Sequence, residues 1–328
     1  MNGDEDGRDV GLERRQYYWS TPGPFNQAGN IFLFFGGGDR GRTLEALVGS
    51  LGTGVPLLHV HGERGSGKTL LGLVLADRLA ERYNIIRVEH RTLSVGGLLQ
   101  QLGIELCPSM TGPVGSMRRS SEMTPAALAV ARVAVASQLV TGTPGNRPVL
   151  LLIDSPDAID APVRALLDEL SALCRDGQRM LQVVLFERAE PDAARSVPAR
   201  SANDPGTAHH WLGRLTLAET GEYLRHQMTL FDYNRRDAFS HEMAYFIADR
   251  SEGVLRSINT IARNAFVIAG LENERVPRMS HLLLAGLPPR GDTDPRPPFV
   301  RRHRRAVFAL FASSVVASLL SLIMLSAR

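Results

Sequence analysis

The sequence is poor in the residues that several kinds of chemistry require. Among its 328 residues are two cysteines, Cys107 and Cys174, with no CxxC pair. That count leaves no disulfide framework and no thiolate metal site, and both are read as reduced thiols of a cytosolic domain. Aromatic residues amount to 6%, and no basic helix interleaves them with Lys and Arg, which argues against a nucleic-acid motor. Net charge is only +3, so no global field selects a polyanionic partner. The first fifteen residues, MNGDEDGRDVGLERR, are too charged for a signal peptide, and residues 1–15 are expected to form a disordered arm. The nine histidines show no metal spacing. His209 and His210 fall in a polar stretch expected to be solvated. There are no internal repeats.

What is present is a globular balance, 44% hydrophobic against 22% charged residues, with enough chain for about two domains. From residue 56 to 186 short apolar runs alternate with helical ones. PLLHVH (56–61), NIIRVEH (84–90), VLLLI (149–153) and LQVVLF (181–186) read as strands. Helices are expected at 68–82, 94–106, 124–140 and 161–174, the third opened by Thr124 as N-cap and Pro125. Near-continuous apolar strands between helices predict an α/β fold with a parallel sheet covered on both faces. Residues 190–210 read as a long polar loop, and only helices are expected beyond it. Thr216 and Glu219 form a capping box, further helices are expected at 236–250 and 254–271, and Ser280 is a candidate cap for a fourth.

The C-terminus departs from this pattern. Residues 306–327, AVFALFASSVVASLLSLIMLSA, carry no charge and are long enough to span a bilayer as a helix. RRHRR at 301–305 precedes them, which would keep the N-terminal body in the cytoplasm. Residues 287–305 read as a Pro- and Arg-rich linker. The expected division is therefore a core at 16–190, a loop and helical lid at 191–286, the linker, and a single membrane helix.

The motif with most chemical content is GERGSGKT at 62–69, followed by Leu70. It fits a phosphate loop, and its context of preceding strand and following helix is the one the motif requires. The residues Gly62, Glu63, Arg64, Gly65, Ser66, Gly67, Lys68, Thr69 and Leu70 are the candidate nucleotide-binding stretch. Backbone amides of such a loop point at phosphate oxygens, and the helix N-terminus adds its positive end. Lys68 brings charge to the β- and γ-phosphates, and the Thr69 hydroxyl can hold Mg²⁺. Asp154 ends a later apolar strand and is the second candidate Mg²⁺ ligand, since ligands gather at the carboxyl ends of parallel strands. ATP and Mg²⁺ are the implied ligand and cofactor.

Residues 16–285 resemble the AAA+ ATPases of the ExeA-like family, the general secretion pathway protein A group, together with the related MSHA-pilus biogenesis ATPases. The likeness is carried by GERGSGKTLL, by RTLEAL (42–47), by MLQVVLF with Glu190, by LTLAETGEYLRHQM (215–228) and by GVLRSINTIARNAFVIA (253–269). The resemblance implies a P-loop core with a small helical lid, ATP hydrolysis, homo-oligomerisation, and an envelope assembly or secretion partner at the bacterial inner membrane. It also implies that Arg256 reaches from the lid to the γ-phosphate.

Two departures bear on catalysis. The family places Glu after the strand aspartate, and this chain has Ser155, which cannot serve as a base at neutral pH without help. Where the family carries a polar amide, this chain has Phe186-Glu187-Arg188-Ala189. Glu187 and Asp157 are candidate substitutes for the base, and Arg195, Arg200 and Arg214 for an arginine acting on a neighbouring subunit. Two functions follow from these residues. One is a membrane-anchored ATPase of low intrinsic activity with Lys68, Asp154 and Arg256 in its catalytic set. The other is an ATP-binding switch or scaffold that does not hydrolyse.

Overall fold

The computed structural model describes Phe25 and residues 29–89, 93–106, 124–155, 159–189, 206–231 and 238–286, with backbone alone at Glu89 and Ser155. The chain divides into two compact units, Met1–Gly286 and Leu287–Arg328. The second unit, with the expected linker and the apolar span at 306–327, lies outside the described residues, as does the arm at 1–15. Among the described residues no helix is long and apolar enough to cross a membrane.

The first unit is an α/β P-loop fold. Its elements run α1 (Arg40–Gly52), β1 (Leu57–Gly62), α2 (Lys68–Leu79), β2 (Asn84–Glu89), α3 (Val95–Leu106), α4 (Pro125–Thr141), β3 (Val149–Ser155), α5 (Ala161–Ser171), β4 (Cys174–Arg175), β5 (Gln178–Arg179), β6 (Leu181–Arg188) and β7 (Thr207–Leu212). The helical part continues with α6 (Leu217–Leu230), α7 (His241–Ser251), α8 (Leu255–Leu271) and α9 (Met279–Ala285). Five strands pair in the order β2-β3-β6-β1-β7, every pairing parallel.

Strand side chains alternate between the two faces of this sheet. Leu151, Ile153, Val183 and Leu185 join α3, α4 and α5 in one core, whereas Leu58, Val60, Leu152, Val184 and Phe186 join α1 and α2 in the other. Both faces being covered explains why β3 reads as a continuous apolar run instead of an alternating one. A third core holds the lid together: Tyr223, Leu224, Ile247, Ile258 and Phe266 pack with Phe25 and Phe35 from the chain ahead of α1. Thr216 and Glu219 form the expected reciprocal cap on α6, and Thr124 caps α4 with Pro125 in its first turn.

Four local expectations are corrected. Residues 207–212 are a strand, β7, within the stretch read as loop. TAHHWL lacks an apolar run because an edge strand has one pairing neighbour, here β1, and carries polar side chains on its outer positions. The helix expected to reach 174 stops at Ser171, and β4 and β5 form a hairpin around Asp176 and Gly177. Both of those residues have positive φ, 52° and 79°, which a two-residue hairpin turn of the Asp-Gly type requires. Helix α1 precedes β1 and was not expected. Finally, α9 begins after Arg278, so Ser280 lies inside the helix instead of capping it.

Gly253 joins α7 to α8 with φ of 75°, and a Cβ there would lie 2.1 Å from the Leu215 carbonyl oxygen. The Leu215 N–H donates to the Gly253 carbonyl at 2.9 Å, so the turn between the lid helices rests directly on the segment leading into α6. Gly253→Ala is expected to destabilise the protein by at least about 2 kcal/mol, from the left-handed backbone and the overlap together. Gly49→Ala, in the exposed middle of α1 where a Cβ meets nothing, is expected to stabilise by about 0.5–1 kcal/mol. Urea denaturation of both variants checks the pair.

Candidate nucleotide-binding site

Three strand ends are brought to one edge by the register. Val60 pairs with Phe186, and Phe186 with Asp154. Two residues on, Gly62 pairs with Arg188. The loop that follows Gly62 turns through Gly65, whose φ is 91°, and delivers Lys68 as the first residue of α2. The N-cap of α2, Gly67, makes no side-chain capping bond. The helix therefore presents its uncapped amides, with the positive end of its dipole, to whatever fills the loop.

Lys68 is buried, and its ammonium donates to the Gly62 carbonyl at 2.7 Å and the Glu63 carbonyl at 2.8 Å. Burial pushes its pKa down, opposed by the charge of Asp154 and reinforced by that of Arg188. The Thr69 hydroxyl donates to Asp154 Oδ2 at 2.6 Å. The two candidate Mg²⁺ ligands, 85 residues apart in sequence, are thus in direct contact. A hydroxyl and a carboxylate are hard oxygen donors of the kind Mg²⁺ takes while keeping several waters, so the pair fits the ion.

A cavity of about 1040 Å³ opens beside this pair. Arg40, Arg64, Lys68, Arg87, Arg188, Arg256 and Arg263 line it, and among the described residues Asp154 is the one carboxylate that does. Apolar side chains, among them Leu33, Phe35, Leu73 and Leu255, also line it. The strap at 31–35 is held by α6: Gln227 Nε2 donates to the Leu33 carbonyl at 3.1 Å, and His226 Nε2 to the Phe34 carbonyl at 3.2 Å. Cationic and apolar side chains in one cavity suit a triphosphate attached to a planar base.

Not every residue of the motif faces this cavity. Gly65, Gly67, Lys68, Thr69, Leu70 and Arg64 do, whereas Gly62, Glu63 and Ser66 line a smaller space of about 250 Å³ behind the loop. Glu63 is bound there by Arg214, whose guanidinium donates to its carboxylate at 2.7 and 3.1 Å and to Glu252 at 2.7 Å. These hydrogen bonds raise the Arg214 pKa further. Arg214 therefore ties the phosphate loop to the lid of its own chain. Arg195 and Arg200 lie outside the described residues.

Arg256 stands in the first turn of α8 and its side chain lines the cavity. Its N–H donates to the Gly65 carbonyl at 3.1 Å, and a Cβ on Gly65 would come within 2.6 Å of the Arg256 Cβ. The loop and the lid helix are in backbone contact at a position where glycine alone fits.

The candidate base is corrected as well. Glu187 follows Val183 and Leu185 on the α3–α5 face of the sheet, while Asp154 and Arg188 follow the α2 face. Its carboxylate is bound by His59 Nδ1 at 2.9 Å, so Glu187 is turned away from the phosphate loop. Burial would raise its pKa, but the bond from His59 and the neighbouring imidazoles hold it below the usual carboxylate range. Asp157 lies outside the described residues.

One central residue was not singled out from the sequence. Arg40, in the first turn of α1, is 3% exposed. Its Nη2 donates to the Ser66 carbonyl at 2.9 Å and the Gly213 carbonyl at 3.2 Å. Burial pushes its pKa down, and the charge of Glu219 at the head of α6 opposes that. One guanidinium thus fixes the phosphate loop to the end of β7. No motif marks it; the signal available was a lone arginine directly after FFGGGD, a turn-rich approach to the loop.

With this geometry, the chain can be set beside known proteins. Residues 34–186 match the AAA ATPase domain family. The matched stretch runs from just ahead of α1 to the end of β6 without its last two residues. No curated protein matches the sequence. Solved structures that share the fold include the Aeropyrum pernix ORC2 protein, in ADPNP–ADP complexes, with TM-score 0.52 at 13% identity over 83% of this chain and 70% of that one. Cdc6p from Pyrobaculum aerophilum gives 0.53 at 13% identity, over 73% of this chain and 64% of that one. Drosophila ORC bound to DNA gives 0.51 at 15% identity, over 87% and 67%. At these identities the likeness is one of fold.

Arg40→Lys tests this buried clamp. A lysine keeps the charge but loses the planar fork that reaches two carbonyls at once. The variant is expected to lose about 1–3 kcal/mol of stability, and to bind nucleotide at least about tenfold more weakly, a change of about 1.4 kcal/mol. Urea denaturation and titration with a fluorescent ATP analogue read the two effects.

Proposed function

We propose that this protein is a membrane-anchored AAA+ ATPase. It binds ATP with Mg²⁺ between the sheet and the helical lid and hydrolyses it slowly. Lid motion is passed to an envelope secretion or pilus-type assembly partner. The observation that carries the nucleotide part is the 2.6 Å bond between Thr69 and Asp154 at the mouth of a strongly cationic cavity. Thr69 and Asp154 would hold Mg²⁺, which when bound neutralises charge on the phosphates. Lys68 leaves its two carbonyl partners for phosphate oxygens, and the α2 amides receive others. Arg256, in contact with the loop through Gly65, senses what the loop holds. The apolar span at 306–327, the RRHRR cluster and the resemblance of 215–228 and 253–269 to ExeA-like ATPases support the inner-membrane setting, the cytoplasmic body and a homo-oligomer.

A second reading is favoured by one specific observation. With Ser155 after Asp154, and Glu187 bound to histidines on the other face of the sheet, no described carboxylate beyond Asp154 lines the cavity to activate water. The protein would then be an ATP-binding switch or scaffold.

Steady-state phosphate release by the full chain separates these readings. Measurable turnover abolished in Lys68→Ala is the expected result, and ATP binding without turnover under every condition selects the switch. Ser155→Glu is expected to raise turnover by about 10²-fold. Stimulation by duplex DNA instead of membrane partners would move the reading towards a nucleic-acid function.

A further inference from the structure

On the sheet face away from the phosphate loop, β1, β6 and β7 gather a group of side chains that nucleotide binding does not use. His59 and His61 alternate on β1, His209 stands opposite His59 on β7, and Glu187 stands opposite His61 on β6. One ring nitrogen from each of the three histidines lies within 4.8 Å of the others. His59 Nδ1 is 2.9 Å from Glu187 Oε2, His61 Nδ1 is 3.5 Å from the same oxygen, and His61 Nε2 is 2.9 Å from His209 Nδ1.

The protonation pattern follows from these contacts. A carboxylate only accepts, so His59 Nδ1 carries the proton and its Nε2 holds a lone pair. That Nε2 is fully buried and has no hydrogen-bond partner, on a residue only 2% exposed. A buried acceptor without a partner is costly, and a ligand that takes the lone pair removes the cost. A carboxylate that binds one imidazole nitrogen, fixing the tautomer and leaving the other nitrogen for an ion, is the usual outer support of a histidine metal ligand. His61 turns Nδ1 towards Glu187 Oε2 and Nε2 towards His209 Nδ1, so in the tautomer with its proton on Nδ1 its Nε2 offers a lone pair.

We propose that His59, His61 and His209 form a three-histidine site for a transition-metal ion of the Zn²⁺ class, with Glu187 as the positioning carboxylate. The site is separate from Thr69 and Asp154, which are hard oxygen donors on the other face. Three imidazoles suit a borderline-soft divalent ion and leave a fourth position for water or a further ligand. Without an ion the rings lie face to face, with interplanar angles of 10°, 18° and 9° among the three pairs. Capture turns them out of this stack until their nitrogens stand about 3.4 Å apart, as tetrahedral bonds of about 2.0–2.1 Å require. The His61–His209 hydrogen bond is exchanged for two bonds to the ion, and His209 moves its proton to Nε2. The metal would then join β1 to its edge neighbour β7 directly below the phosphate loop.

The test uses the untagged full chain, stripped with a chelator and titrated with Co²⁺ and then Zn²⁺. One equivalent of Co²⁺ with the intense visible bands of a low-symmetry, four-coordinate ion is expected, displaced by Zn²⁺, with a rise in Tm. His61→Asn and His209→Asn should each abolish the bands, and Glu187→Gln should weaken binding about 10–100-fold. Lys68→Ala should bind the ion unchanged, which separates this site from nucleotide binding. His281→Asn should also leave it unchanged, because Glu272, Glu274 and His281 are the other described group whose donor atoms converge. A folded wild-type chain without the bands overturns the proposal, even if the histidine variants fail to fold. So does binding that survives in His61→Asn and is lost in His281→Asn, or binding indifferent to every variant.

Discussion

Register is the constraint on which this molecule depends. Parallel pairing of β1, β6 and β3 fixes Val60 beside Phe186 and Phe186 beside Asp154. A slip of one residue in either pairing would send Asp154 to the opposite face, because side chains alternate with a period of two. Two fully buried cores prevent that slip: it would carry Val184 and Phe186 out of one core and Val183 and Leu185 out of the other. Each such side chain contributes about 1.5–3 kcal/mol when buried, so the shifted sheet is inaccessible. The contact between Thr69 and Asp154 is therefore a consequence of hydrophobic burial on both faces of the sheet, and not of any attraction between those two residues.

The same edge is held by contacts of three kinds, two of them to the lid and one to the end of β7. The Arg256 amide meets the Gly65 carbonyl, Arg214 bridges Glu63 and Glu252, and buried Arg40 holds Ser66 to Gly213. The first depends on the absence of a side chain, so it responds to loop conformation and not to charge. The second is part-exposed and weakened by solvent and salt. The third is buried and cannot be lost without leaving a cation unpaired. A change in the loop thus reaches the lid chiefly through backbone, while Arg40 keeps the end of β7 moving with the loop.

Much of this was legible in the sequence. GERGSGKT, the apolar run into Asp154, and the Thr216–Glu219 box each combine a local preference with the element the tertiary structure also selects. The features that were missed lacked that agreement. Edge strand β7 is composed of TAHHWL, and its strand character comes from pairing with β1. Arg40 has no motif, since what makes it central is burial between segments distant in sequence. Glu187 was a reasonable base by position, but its face was fixed by the alternation along β6, which spacing from Asp154 cannot reveal. The Asp176-Gly177 turn was legible and was passed over, because the helical pattern before it was extended three residues too far. The histidines show no metal spacing along the chain, because two lie on β1, one on β7, and the sheet brings them together.

The charges of the cavity bear on what it can hold. Among the described residues, seven cationic side chains and one carboxylate line the space, so without an anion like charges are gathered there against their mutual repulsion. Lys68 relieves part of this by turning its ammonium onto two loop carbonyls, and its lowered pKa records the cost of its burial and of Arg188 beside it. A bound nucleoside triphosphate would offset much of that repulsion. With Asp154 the one carboxylate among the described residues that line the cavity, a base for turnover would have to come from outside that lining.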